Sequence, residues 1–191
     1  TENFNATKIT DVLYPNDNTM VGKILRLRQQ YFLVSASLQD IVRKFKATGK
    51  CLKRLPEKWC FQLNDTHPVI AIPELLRILQ SEGLSFDEAF DVCAACFHFT
   101  NHTIMAEALE KWDALAFSDL LPDVYEQIIA CQRKLERELD PNCFYIVRDN
   151  VIHMANLAIY VSSHVNGVAE IHTGILKAQT FRNWYERFPD K

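Results

Sequence analysis

Leu63-Asn64-Asp65-Thr66-His67-Pro68 (LNDTHP) stands between an apolar run, Trp59–Phe61, and a stretch with helical spacing, AIPELLRIL at 71–79. Four polar side chains crowd the point where a strand should end and a helix begin. Two further clusters fit the same pattern. FTNHT, Phe99–Thr103, closes the run AACFHF, and SSHVNG, Ser162–Gly167, follows AIYV and opens a helical stretch. Strands alternating with helices argue for an α/β layer with parallel strands. Such sheets bind ligands in the crevice outside the carboxyl ends of their strands. Three polar clusters at three strand ends therefore point to one lined pocket. A fourth cluster, YPNDN at Tyr14–Asn18, reads as a turn-rich loop ahead of a long helix.

The remaining pattern fills in around these clusters. Residues 19–47 carry Ile24, Leu27, Tyr31, Val34, Leu38, Ile41 and Phe45 at helical spacing. Arg26, Arg28, Gln30, Asp40, Arg43 and Lys44 fall on the face expected to be exposed. This helix should end near Gly49. Trp59–Leu63 reads as a strand. Pro73 suits the first turn of a helix that stops at Gly83. Ser85 with Glu88 forms a capping-box pattern for a helix through Cys93. Ala94–Phe99 reads as a strand, Glu107–Trp112 and Asp119–Leu139 as helices, and Phe144–Val147 as a strand. Leu157–Val161 fits strand or helix, and Gly167–Ala178 fits a helix.

Composition narrows the function classes. The 191 residues are 48% hydrophobic, enough for one domain with a sizeable core. The net charge is −3 with basic residues scattered, which argues against a nucleic-acid surface or a polybasic membrane patch. No apolar run approaches the ~20 residues of a membrane helix. The opening TENFN lacks the apolar segment of a signal peptide, and a cytoplasmic location is expected. Thr1 in place of an initiator methionine suggests a chain cut from something longer. Asn5, Asn64 and Asn101 head N-x-[ST] sequons and read as coincidences. Of the cysteines Cys51, Cys60, Cys93, Cys96, Cys131 and Cys143, Cys93-Ala-Ala-Cys96 has redox or zinc spacing. It lacks a second ligand pair, and buried thiols on a helix face are the stronger reading.

Asp65-x-His67 admits a metal pair or a base with its orienting partner, since alternate residues of an extended segment face the same way. Asp65 and Thr66 read equally well as caps of the following helix. Metal ranks below both, for want of a third ligand. Asn101-His102-Thr103 is a dense donor and acceptor set of the kind that suits a sugar, whose hydroxyls both donate and accept. His98, His153 and His172 sit in apolar patterns and read as structural. Asn166-Gly167 opens a helix and offers backbone N–H groups to an anion, a weak signal on one glycine. Arg43-Lys44 reads as a solvated face, with an anionic effector as the lesser alternative. There is no nucleophile elbow, phosphate-cradling glycine loop or paired-carboxylate motif.

Taken together, YPNDN with LRLRQQYF, LNDTHPVIAIPELLR, FTNHT with EALEKW, and HMANLAIYVSSHVNGVAEIH resemble the α-glucan (glycogen, starch or maltodextrin) phosphorylases in motif, order and spacing. The similarity runs from about Ile9 to the C-terminus. The resemblance implies phosphate-dependent cleavage of a terminal α-1,4 bond, with an α-1,4-glucan and orthophosphate as substrates and glucose 1-phosphate as product. It implies a GT-B type enzyme of two facing Rossmann-like domains. Residues 1–191 would be one segment, the middle and later part of the N-terminal domain, within a complete enzyme that is a homodimer. The family's pyridoxal phosphate would be held by a lysine of the C-terminal domain beyond residue 191. This chain alone is therefore expected to bind no cofactor and to be inactive.

By the same resemblance, His102 binds the glucosyl unit, with Asn101 and Thr103 flanking it. Asp17 and Asn18 belong to a loop that gates the site, and Asp65 and His67 line the same cavity. Val168 is the small apolar residue whose backbone meets the sugar. Arg43 lies where animal enzymes bind a nucleotide activator through two successive arginines. Here the second is Lys44, and a lysine point charge does not replace an arginine fork. Ala106 stands where the family has proline, and Ser163-His164 replaces its usual His-Ala. A free-standing glucan-binding module ranks second, and a small metal-dependent hydrolase built on Asp65 and His67 third.

Overall fold

The computed structural model describes residues 2–13 and 15–191, with side chains described from Ala6 onward; Tyr14 of the YPNDN loop and the Asn5 side chain lie outside them. In chain order the elements are α1 (Glu2–Asp11), α2 (Met20–Lys46), β1 (Phe61–Asn64), α3 (Ala71–Ser81), α4 (Phe86–Cys96), β2 (Phe97–Asn101), β3 (Lys111–Asp113), α5 (Ala114–Leu120), α6 (Pro122–Glu138), β4 (Val147–Arg148), β5 (Val151–His153), α7 (Met154–Val161), β6 (His164–Gly167), α8 (Glu170–Ile175) and α9 (Arg182–Arg187).

Local chemistry sets the helix ends. The Thr19 hydroxyl accepts from the Gly22 amide at 3.2 Å and starts α2. Gly22 is required there because a Cβ would sit 1.8 Å from the Asn16 carbonyl oxygen. The YPNDN loop thus lies directly on the first turn of α2. Leu27, Leu38 and Phe45 are buried, as the spacing predicts; Ile24, Tyr31, Val34 and Ile41 are half-buried, and Val42, outside the predicted stripe, is buried too. Two polar residues of α2 are buried as well. Gln29 donates to the carbonyls of Ile9 and Val12, both at 2.8 Å, and holds α1 against α2. Ser35 donates to Glu74 at 2.6 Å.

Helix α3 is the centre of the core, with Ile72, Leu75, Leu76 and Leu79 fully buried. Glu74 is also 0% exposed and is satisfied by four neighbouring donors. It accepts Ser35, Tyr31 at 3.2 Å and both arms of the Arg77 fork at 2.8 Å. A buried carboxylate needs this complement of hydrogen bonds. The capping box of α4 forms as read: Ser85 accepts from the Glu88 amide at 3.3 Å, and Glu88 accepts from the Ser85 amide at 3.0 Å.

Among the described residues, β1, β2 and β6 form a parallel sheet in that order, and β3, β5 and β4 form a small antiparallel one. The register pairs Asn64 with Thr100 and Asn101 with Gly167, so the carboxyl ends of the parallel strands are level. Leu63, Phe97 and Phe99 face the core. On the opposite face Gln62 donates to the Thr100 hydroxyl and Thr100 to Asn166 Oδ1, each at 2.9 Å, in a polar row across all three strands. Parallel sheets are ordinarily covered on both faces. Here one face is polar and open among the described residues.

Several boundaries differ from the sequence reading. Helix α4 runs on through Cys96, which continues the buried face of Ala89, Val92 and Cys93, and β2 begins at Phe97. Glu107–Trp112 is a short turn followed by β3, and Pro122 splits the expected 119–139 helix into α5 and α6. Leu157–Val161 is helical, within α7. SSHVNG does not follow a strand: its last four residues are β6 itself. Strand β5 and helix α9 carry too few residues to show a period.

Candidate functional site

The loops leaving β1 and β2 meet directly, and the loop leaving β6 starts level with them. Asp65 takes a left-handed backbone, φ 64°, immediately after β1. Its amide donates to the Thr100 carbonyl at 2.9 Å, extending the β1–β2 ladder by one step. Its Oδ1 accepts from the Thr66 amide at 2.8 Å, and its Oδ2 accepts the Thr103 hydroxyl at 3.4 Å. Neither Asp65 nor Thr66 caps α3, which begins at Ala71 with no side-chain cap. The left-handed turn also breaks the extended geometry that would aim Asp65 and His67 together.

Asn101 ends β2 and is fully buried. Its Oδ1 accepts from the Thr103 amide at 2.9 Å and folds the FTNHT loop back on itself. Its Nδ2 has no hydrogen-bond partner among the described residues. A buried donor of this kind calls for a partner outside that set, such as water, ligand or further chain. His102, between these two fixed residues, is exposed.

At the end of β6, Gly167 permits a close approach: a Cβ there would lie 2.9 Å from the Thr173 amide nitrogen. The Gly167 amide donates to the Thr173 hydroxyl at 3.1 Å, and the Val168 amide to His172 Nδ1 at 3.2 Å. His172, expected to be merely structural, is 4% exposed and pins the turn that presents Val168. The Val168 side chain is exposed.

His67 belongs to a second neighbourhood, centred on Arg26. Arg26 pairs with Asp17 of the YPNDN loop. Its other terminal nitrogen lies 3.1 Å from His67 Nδ1 and 3.8 Å from Glu110 Oε1. Glu110 also accepts Gln30 at 3.0 Å and lies 3.6 Å from His67 Nδ1. The Glu110 carboxylate raises the His67 pKa above its ordinary value, against burial and the Arg26 charge. With Nδ1 bare, His67 can accept from Arg26; with Nδ1 protonated, it faces the Glu110 carboxylate instead. Arg26, Gln30 and Glu110 were missed as functional candidates. Arg26 and Gln30 read as solvated positions, yet they are four apart and flank buried Leu27, one helical face. With Asn64 and Pro68, Arg26, Gln30 and His67 line a cleft of about 250 Å³. Asn18 is exposed, its amide held by Asn16 Oδ1 at 3.0 Å.

Arg43 and Lys44 stand apart from all of this. Seventeen residues beyond Arg26 on α2, Arg43 is about 26 Å further along the helix axis. Both pair with Asp40, each at 2.6 Å. Arg43 also borders a groove between α2 and α3 with Lys46 and Arg77. The clusters at the strand ends offer carboxylate, amide, hydroxyl and imidazole groups, the donor set for a polyhydroxyl ligand. They include no lysine amine. Among the described residues, no group of three or more His, Cys, Asp or Glu side chains has metal-ligand geometry, and no helix is long and apolar enough to cross a membrane.

The family model described as "Phosphorylase: Carbohydrate phosphorylase" matches residues 1–191. The chain belongs to the carbohydrate phosphorylase family. Within that family it is 42% identical to glycogen phosphorylase 2 of Dictyostelium discoideum, over 97% of this chain and 20% of that protein. It is 43% identical to the alpha-glucan phosphorylase H isozyme of Triticum aestivum, over 97% of this chain and 25% of the relative. With the glycogen phosphorylase of Chlamydia pneumoniae the identity is 42%, over 96% and 24% respectively. The chain thus spans about a fifth to a quarter of the length of these phosphorylases.

Proposed function

We propose that this chain is the sugar-facing segment of an α-glucan phosphorylase, which transfers a terminal glucosyl unit from an α-1,4-glucan to orthophosphate and releases glucose 1-phosphate. The observation that carries the reading is the exposed His102 held between Asn101 and Thr103 at the level carboxyl end of a parallel sheet. Its imidazole N–H is free to donate to a sugar hydroxyl from a fixed position, and fixed donors cost no reorganisation during reaction. Thr103 and Asp65 brace that loop. Asp17 and Asn18 form the gate, and Arg26 tethers the gate to His67 and Glu110 on the cavity wall. Closing the gate excludes water, so that phosphate rather than water takes the glucosyl unit.

The open polar sheet face supports a larger Rossmann-like, GT-B type domain whose further elements cover it. Pyridoxal phosphate, if bound, supplies a phosphate group beside the substrate phosphate for proton transfer. The residues here do not fit that cofactor, since the strand-end clusters have no lysine to hold it. Its site, and that for orthophosphate, would belong to a facing domain of a longer, cytoplasmic, dimeric enzyme. Arg43 with Lys44 remains the candidate effector position. The natural full-length protein should release glucose 1-phosphate from maltoheptaose only when orthophosphate is present. Release of free glucose, or no turnover with phosphate, would refute the proposal.

A further inference from the structure

On the open face of the parallel sheet, away from the strand ends, His98 of β2 and His164 of β6 are direct cross-strand partners. Their Nδ1 atoms are 3.2 Å apart. The Ser163 hydroxyl oxygen lies 3.0 Å from His98 Nδ1 and 3.2 Å from His164 Nδ1. These three atoms form a nearly equilateral triangle on one side of the sheet. The Ser163 amide donates to the Phe97 carbonyl at 3.0 Å, which fixes the hydroxyl between the strands.

We propose that His98 and His164 chelate a divalent transition ion of the Zn²⁺, Ni²⁺ or Cu²⁺ class through their facing Nδ1 atoms, clamping β2 to β6. Two imidazoles on a tetrahedral zinc, with bonds of about 2.0–2.1 Å, have their nitrogens about 3.3–3.4 Å apart. The observed separation matches that bite almost without movement, on a backbone ladder that holds both rings in place. Without an ion, one of the facing nitrogens must carry the proton that the other accepts. Ion binding moves that proton to the same ring's Nε2, so both lone pairs point at the ion and no net proton is released at neutral pH. Burial and the neighbouring His164 lower the His98 pKa, which favours the free-base ring that ligation needs. No carboxylate or thiolate completes the set among the described residues. The remaining positions are left to water, from which the Ser163 oxygen can accept, or to a donor from the further elements that cover this face. Imidazole ligands favour Cu²⁺ and Ni²⁺ over Zn²⁺ in affinity. Sequence alone hid the site because its histidines are 66 residues apart.

The test is calorimetric titration of the natural full-length protein, first stripped with a chelator, with nickel or zinc chloride. One saturable equivalent per chain is expected. Its affinity should fall at least tenfold in His164→Ala and in His98→Asn, and stay unchanged in His153→Ala. Absence of saturable binding, or binding indifferent to both substitutions, would overturn the proposal. Copper-loaded wild-type protein gives a reading that needs no variant. Its EPR spectrum should show splitting from two imidazole nitrogens, and splitting from one or none would overturn the proposal as well.

Discussion

The Thr103 hydroxyl donates to the Asp65 carboxylate, joining the loop after β2 to the loop after β1 at 3.4 Å. Asp65 holds this position from a left-handed backbone, φ 64°. Asparagine tolerates that conformation and alanine does not, at a cost of roughly 1–2 kcal/mol. Asp65→Asn should leave the melting temperature nearly unchanged, whereas Asp65→Ala should lower it. Equal melting of the two variants would show that the left-handed turn carries no strain.

His67 gives a pH signature with a definite sign. Its folded pKa is raised, chiefly by Glu110. The stabilisation from that pair is fully present below the unfolded value, about 6.5, and is lost as pH rises through the higher folded value. The melting-temperature gap between wild type and Glu110→Gln should therefore be larger near pH 5.5 than near pH 8. A gap independent of pH, or one that widens with pH, would contradict the pairing.

The cysteines separate by environment. Burial pushes the Cys96 and Cys131 thiols up to about 12 and Cys93 well above its ordinary value. Cys51, Cys60 and Cys143 are exposed. Iodoacetamide at pH 8 should modify the exposed three and spare the buried three in the native protein, because the thiolate is the reactive form. Peptide mass spectrometry reads this directly. Labelling of Cys93 at the rate of Cys51 would contradict it and would reopen a redox role for Cys93-Ala-Ala-Cys96.

Much of this architecture was legible because its signals are local. The α2 stripe, the Ser85–Glu88 capping box and the polar clusters at 63–68 and 99–103 each depend on residues within a few positions of one another. What was not legible depends on long-range partners. LNDTHP reads as an extended segment that aims Asp65 and His67 together. In the fold the left-handed Asp65 sends them to different neighbours, Thr103 and Arg26. Arg26 reads as a solvated helix position until Asp17 and Glu110 fold over it. Short strands such as Val151–His153 are stabilised by their ladder partners rather than by their own pattern.

The central claim is that His102 is the sugar-contacting group of a glucosyl-transfer site, and the most direct measurement is phosphorolysis of maltoheptaose by the natural full-length protein carrying His102→Ala. His102 is exposed and supports no packing, so the variant should melt like wild type. Loss of one preorganised donor should lower kcat/KM on the order of a hundredfold. Wild-type kcat/KM in a variant that melts normally would contradict the account.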